Sequence, residues 1–103
     1  MAAGAIQNAR LTTIDRVDRV APEYPLLKDQ ITLGRGDDND IVIPHASVSR
    51  AHARLMRRGG HFELIDLNST NGTYVNNQPV QGATPVSNGS EVRLGDVRFV
   101  LHY

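Results

Sequence analysis

Three short polar stretches hold most of the residues in this chain that could bind an anion. They are Gly34-Arg35, Ser49-Arg50-Ala51-His52 and Ser69-Thr70-Asn71-Gly72-Thr73, and each lies between short β-like runs, where loops are expected. Together they supply guanidinium groups, hydroxyls, a carboxamide and glycines, with few acidic groups among the candidate contact atoms. Arginine binds phosphate oxygens through paired, charge-assisted hydrogen bonds, and backbone amides in tight turns can add to such a site. The set predicts binding of a phosphate group and of the peptide that carries it.

The first two stretches allow a functional and an ordinary interpretation of each side chain. Arg35 follows a glycine at a predicted strand end, where the missing side chain of Gly34 lets a ligand or another backbone come close. Taken alone, Arg35 fits a solvated surface arginine better than a ligand contact, whereas Ser49 could equally be a turn residue and Arg50 a solvating group.

Ser49, His52 and Asp66 are also the residue types of a hydrolase triad. No Gly-x-Ser-x-Gly motif surrounds any serine of the chain, and a triad is defined by a geometry that a sequence does not contain. We therefore expect no enzyme and no catalytic residue. The His52 ring is expected to tie the Ser49 loop to neighbouring backbone.

Composition limits the remaining classes of function. The 103 residues suit a single domain with one hydrophobic core, and 40% of them are hydrophobic. The chain has no cysteine and its four histidines show no metal spacing, so we expect no disulfide, metal or cofactor and a reducing, cytoplasmic setting. Eleven basic and eleven acidic residues cancel, which gives no net field to attract nucleic acid or a membrane.

Apolar and polar residues alternate along most of the chain, which is typical of half-buried strands. The clearest case is the C-terminus, where two alternating runs flank a Gly95-Asp96 turn. Further strands are predicted at 31–35, 41–43, 52–57, 61–67, 73–75 and 78–80. This pattern predicts an all-β sandwich of two mostly antiparallel sheets over residues 11–103, after a flexible tail at 1–10.

Residues 11–20 are the ambiguous part of the pattern. Leu11, Ile14, Val17 and Val20 recur every third residue, which would also fit a helix. Because several residues here are β-branched, and β-branched residues favour strands, we predict a strand and keep a helix as the alternative.

In their order and separations, the three polar stretches resemble the forkhead-associated (FHA) domain. The motif Val92-x-Leu94-Gly95-x-x-x-Phe99 follows them, and the resemblance extends from about Leu11 to Tyr103. It implies a sandwich of about eleven strands whose loops at one end bind phosphothreonine. Two positions depart from the family pattern: Asn76-Asn77 replaces the usual Asn-Gly, and Ser90 replaces a frequent Asp. Both lie in turns away from the expected site.

The resemblance also implies which residues contact the ligand. The phosphopeptide-binding residues would be Arg35, Ser49, Arg50, Thr70 and Asn71, and those that support the site Gly34, His52 and Gly72. Thr70 would lie beside the phosphate and the threonine methyl, and the Asn71 carboxamide would bind the peptide backbone. Ser47 matches a position that often selects the third residue after the phosphothreonine, and its small neutral side chain predicts no clear preference.

The expected partner is a phosphothreonine-containing protein or peptide, such as a Ser/Thr kinase or a substrate of one, with the isolated domain monomeric. Two other functions stay open. One is a phosphate-independent protein–protein scaffold. The other is nucleic-acid binding through Arg50, Arg54, Arg57 and Arg58. Alternation places Arg54 and Arg57 on opposite faces, and no aromatic platform accompanies them, so we expect no nucleic-acid partner and no membrane partner.

Overall fold

Eleven short strands and their connecting turns account for residues 6–103, the part of the chain that the computed structural model describes. The strands are β1 (Arg10–Thr13), β2 (Glu23–Pro25), β3 (Gln30–Gly34), β4 (Ile41–Val42), β5 (Ala53–Arg58), β6 (His61–Asp66), β7 (Thr73–Val75), β8 (Gln78–Pro79), β9 (Thr84–Val86), β10 (Glu91–Leu94) and β11 (Val97–His102). The predicted all-β class is confirmed. Across the described residues, no helix is long and apolar enough to cross a membrane.

The strands form two sheets that pack around one hydrophobic core. The six-stranded sheet has the order β2-β1-β11-β10-β7-β8, and the five-stranded sheet has the order β4-β3-β5-β6-β9. The pair β3–β4 is parallel, and the other described pairs are antiparallel. Every second residue points inward, as in β11, where Val97, Phe99 and Leu101 are fully buried. The core therefore follows the period of two seen in the sequence.

Strand direction brings four connections to one end of the sandwich. In the five-stranded sheet, Ala53 at the start of β5 pairs with both Leu33 and Asp66, near the ends of β3 and β6. In the six-stranded sheet, Leu94 at the end of β10 pairs with Thr73 and Val97, the first residues of β7 and β11. The loops β3–β4, β4–β5, β6–β7 and β10–β11 consequently lie together, and the three polar stretches lie in the first three of these loops and at the adjoining strand ends, Gly34 and Thr73.

The strand predicted at 11–20 is correct only for its first residues. β1 ends at Thr13, and residues 14–22 have no regular structure, so the strand prediction is wrong from Ile14 onward and the helical alternative is wrong as well. The Thr13 amide donates to Pro22 O at 2.9 Å, and its hydroxyl donates to Ala21 O at 2.6 Å, so the chain turns back on β1 here. Of the apolar residues in this spacing, Leu11 is buried and Val20 packs against the core, whereas Ile14 stays 39% exposed.

Two strands were not predicted from the sequence. β2 and β9 each contain a proline, Pro25 and Pro85, which argues against a strand in a sequence pattern. Both are edge strands of their sheets, where a missing N–H is tolerated.

The N-terminal part of the chain joins the fold before residue 11. Residues 1–5 of the predicted tail lie outside the described residues. Ala9 is buried, Ile6 packs against the core and Arg10 begins β1, so the folded region starts before the predicted boundary.

Candidate functional site

An open depression of about 410 Å³ lies where the β3–β4, β4–β5 and β6–β7 loops meet. Its lining consists of Arg35, Ala46, Ser47, Val48, Ser49, Arg50, Asn68, Thr70 and Asn71. All five side chains predicted to contact a phosphopeptide are thus in one place, although they come from three different loops. Gly34, His52 and Gly72 lie behind this surface and connect the loops.

Arg35 is anchored at its backbone and at the inner end of its guanidinium group. Its amide donates to Ser49 O at 2.9 Å, and its Nε donates to Val48 O at 2.9 Å. The two terminal nitrogens have no hydrogen-bond partner or ion pair among residues 6–103, and the residue is exposed at the depression. The guanidinium is therefore oriented by the protein while its paired donors are available to a ligand.

Gly34 allows Arg35 to take this position. The residue is buried, and a Cβ built on it would overlap the carbonyl oxygen of Arg50 and come within 2.8 Å of Asn39 Nδ2. The β3 end and the Ser49-Arg50 turn can approach this closely only because the side chain is absent.

Ser49 links the β4–β5 loop to the loop after β6. Its Oγ accepts a hydrogen bond from Thr70 N at 3.0 Å. Because the oxygen accepts in this bond, the hydroxyl hydrogen remains available to donate to a phosphate oxygen.

His52 is fully buried behind Ser49 and joins two loops through its ring. Nδ1 accepts from Ser49 N at 3.0 Å, and Nε2 lies 2.9 Å from Gly72 O, to which it donates when it carries the proton. Burial lowers the pKa of His52 and outweighs the opposing effects of the Gly72 hydrogen bond and of the Asp66 charge. The neutral ring with its hydrogen on Nε2 satisfies both bonds.

The contacts of Ser49, His52 and Asp66 do not form a catalytic triad. A triad requires the serine Oγ to bond the histidine ring, which here bonds the Ser49 amide instead.

Asp66 instead shapes the loop that carries Thr70 and Asn71. Its Oδ1 accepts hydrogen bonds from Ser69 Oγ at 2.5 Å and Thr73 Oγ1 at 2.6 Å, and Ser69 Oγ in turn accepts from Gly72 N at 3.0 Å. Burial acts to raise the pKa of Asp66, but the hydrogen bonds from Ser69 and Thr73 hold it below its ordinary value. The ionised carboxylate therefore holds Ser69 and Thr73, on either side of Thr70 and Asn71, in fixed positions.

Asn71 is exposed and held by one hydrogen bond. Its Nδ2 donates to Ser47 O at 2.8 Å, which fixes the plane of the carboxamide. Its Oδ1 has no donor among the described residues, so an acceptor and one N–H remain available to a peptide backbone.

Sequence reasoning missed Asn39, which braces Arg50. Its Nδ2 donates to Arg50 O at 2.7 Å and Gly36 O at 2.8 Å, and Gly36 N also donates to Arg50 O at 3.1 Å. The available signal was an asparagine in a loop between strands, because asparagine side chains commonly hydrogen-bond nearby backbone there.

The four arginines of the nucleic-acid alternative do not share one surface. Arg50 lies at the depression, whereas Arg57 stacks on Phe62, 5.0 Å from the ring centroid, and donates to the Leu26 carbonyl. Arg58 pairs with Glu63 at 3.1 Å at the other end of β5.

Residues 6–103 contain no group of three or more His, Asp or Glu side chains placed to hold a metal ion.

An all-β sandwich with oriented arginine, serine and asparagine side chains on the loops at one end defines a class of ligand-binding modules. The chain belongs to the FHA domain family, whose sequence model matches residues 31–95.

Individual relatives support this assignment. The chain is 36% identical over 98 residues to the glycogen accumulation regulator GarA of Mycolicibacterium smegmatis, covering 95% of this chain and 61% of that protein. A solved structure from work on phosphothreonine-dependent FHA domain interactions is 34% identical, with a TM-score of 0.81 over 94% of this chain and 97% of the other. Mycobacterium tuberculosis EmbR in complex with a low-affinity phosphopeptide is 33% identical, with a TM-score of 0.83 over 99% of this chain and 26% of that one. The chain thus spans about three fifths of GarA and about a quarter of the EmbR chain.

Proposed function

We propose that this domain is a phosphopeptide-binding module that recognises phosphothreonine on partner proteins in Ser/Thr-kinase signalling. The observation that carries the proposal is the depression in which Arg35, Ser49 and Asn71 are fixed by the protein while keeping unused donors or acceptors. Relatives of known structure support it, since one was studied for phosphothreonine-dependent interactions and another was solved with a phosphopeptide.

In this function the phosphate takes the cationic part of the depression. The terminal nitrogens of Arg35 bind two phosphate oxygens, Ser49 donates its hydroxyl hydrogen, and Arg50 adds a second positive charge. Thr70 lies beside the phosphate, and Asn71 binds the backbone of the peptide. Gly34, His52 and Gly72 hold the three loops in register. No step in this scheme makes or breaks a covalent bond, so we propose a binding domain and not an enzyme.

Preference for phosphothreonine over phosphoserine depends on the threonine methyl group. Ala46 and Thr70, which are both exposed, line the depression, so a methyl group has carbon atoms to contact there. Burying one such group is worth about 0.8 kcal/mol, or roughly fourfold in affinity. A β-branched side chain also loses fewer rotamers on binding, and serine would leave a void without packing partners. We expect a total preference of about tenfold.

We further propose that the partner is a phosphorylated protein or peptide, such as a Ser/Thr kinase or its substrate, met in the cytoplasm by a monomeric domain. The activity of a longer protein that contains this domain, including any regulatory role like that of GarA, would depend on which partner is bound.

One peptide in three forms tests the function. A sequence selected from a phosphothreonine-oriented peptide library is synthesised with threonine, phosphothreonine and phosphoserine and titrated by calorimetry. We expect binding in the order phosphothreonine, phosphoserine, threonine, with about tenfold between the first two. Equal binding of both phosphorylated forms would identify a generic anion site. Equal binding of all three would favour the phosphate-independent scaffold and refute the proposal.

A further inference from the structure

His45, in the loop between β4 and β5, makes contacts that the binding scheme above does not use. Its Nδ1 lies 2.8 Å from Ser47 Oγ and accepts a hydrogen bond from Ser47 N at 3.1 Å. The turn is closed by Val48 N, which donates to His45 O at 3.0 Å. A side chain that accepts the N–H two residues later reproduces an Asx turn, with an imidazole in place of a carboxamide.

Ser47 is the residue through which this turn reaches two other loops. Its carbonyl oxygen accepts the hydrogen bond from Asn71 Nδ2 at 2.8 Å. Its Oγ accepts from Asp96 N at 2.9 Å, in the β10–β11 turn. Gly95 in that turn packs so closely that a Cβ there would overlap the Ser47 carbonyl oxygen. The orientation of the Asn71 carboxamide therefore depends on the conformation that His45 imposes on Ser47.

We propose that His45 is a positioning residue whose ring holds Ser47, and through it Asn71, in the conformation that binds the peptide backbone. A side chain that offers no acceptor at the place of Nδ1 would leave the Ser47 N–H without this partner and the turn without its support. The inference rests on the proposed function.

The first experiment measures affinity for a phosphothreonine peptide at pH 7.5. We expect His45→Ala to weaken binding by about three- to tenfold, the effect of losing ordinary hydrogen bonds. His45→Asn should bind within about twofold of the unsubstituted domain, because its carboxamide oxygen can accept the same Ser47 N–H. His61→Ala, at the first residue of β6, is the matched control and should leave the affinity unchanged.

The second experiment needs no ligand. NMR signals of the Asn71 side-chain amide and of the Asp96 backbone amide should shift in His45→Ala and should return close to their original positions in His45→Asn. Unshifted Asn71 and Asp96 signals in His45→Ala would overturn the inference, as would full affinity in that variant. If no form of the domain binds phosphopeptide while these signals still shift in His45→Ala, the proposed function fails and the link from His45 to Asn71 stands.

Discussion

The two ends of the sandwich use glycine for different reasons. At the end that carries the depression, a Cβ added to Gly34 or Gly95 would overlap a carbonyl oxygen of another loop. At the opposite end, Gly59 in the β5–β6 turn and Gly89 before β10 have positive φ angles of 62° and 91°, and a Cβ on either would meet no atom within 4 Å. At the opposite end, glycine is needed only for its left-handed backbone conformation. At the site end it is also needed because a side chain would overlap another loop.

This difference indicates where the fold is most constrained. The site-end loops are held by hydrogen bonds from side chains to the backbone of other loops, such as Asn39 to Arg50 O and Asn71 to Ser47 O. Such cross-loop bonds keep polar side chains in fixed positions before a ligand arrives, which lowers the entropy lost on binding.

The largest difference between the two ends should appear in a pair of alanine substitutions. Gly34→Ala forces the β3 end away from the Arg50 carbonyl, and we expect a loss of about 3 kcal/mol or more in the free energy of unfolding. Gly59→Ala introduces only left-handed strain, at about 1–2 kcal/mol. Urea unfolding of both variants measures this. Equal stabilities would mean that the site-end loops separate freely and that the comparison is wrong.

The next effect concerns ligand affinity. Arg35→Ala and Ser49→Ala should each weaken phosphopeptide binding about tenfold or more, because hydrogen bonds to a charged group are worth roughly 1.5–3 kcal/mol. Arg54→Ala removes the same charge from β5, outside the depression, and should leave affinity within about twofold. Calorimetry measures the affinity of each variant, after circular dichroism has shown that the variant is folded. Normal affinity in either site variant would remove that residue from the proposed site.

The free energy of unfolding should fall in mild acid because of His52, whose ring is buried at the site end. The pKa of His52 is lowered in the folded domain, so below its unfolded value of about 6.5 the unfolded chain binds a proton more readily than the folded one. Its contribution to stability is therefore complete above about pH 6.5 and declines as the pH falls toward the folded pKa. Asp66, whose pKa is also lowered, stabilises the fold above its unfolded value and loses that effect only as the pH falls below about 4.

Urea unfolding across pH 7.5 to 5 measures the histidine effect, with His52→Asn expected to flatten the slope and His61→Asn to leave it in place. An unchanged slope in the His52 variant would assign the acid sensitivity to another group.

The difference between local turns and contacts that link separate loops also explains which features could be predicted from the sequence. Strands such as β10 and β11 follow from alternation and a Gly95-Asp96 turn, which are local features. The joint position of Arg35 and Asn71 followed from the family resemblance and not from a pattern in the chain. Carbonyl acceptors such as Ser47 O carry no signal in residue type, so the links made through Ser47 became visible only in the structure. Of the four edge strands, β2 and β9 stayed hidden because Pro25 and Pro85 resemble breaks in the strand pattern.

The smallest predicted effect lies in the β7–β8 turn, at the end away from the site. Asn76 and Asn77 have φ angles of 49° and 68°, a left-handed pair in which glycine is preferred at the second position. Asn77→Gly should relieve slight strain and raise the free energy of unfolding by about 0.5 kcal/mol, or roughly 2–4 °C in Tm, since asparagine already tolerates this conformation. Asn76→Gly should instead destabilise the domain, because Asn76 Oδ1 accepts a hydrogen bond from Glu91 N at 2.9 Å. Neither substitution should change phosphopeptide affinity beyond about twofold, because the cross-loop bonds described here lie at the other end of the sandwich. Thermal melts and one titration for each variant measure both quantities. A loss of affinity in Asn77→Gly would show that the two ends are coupled.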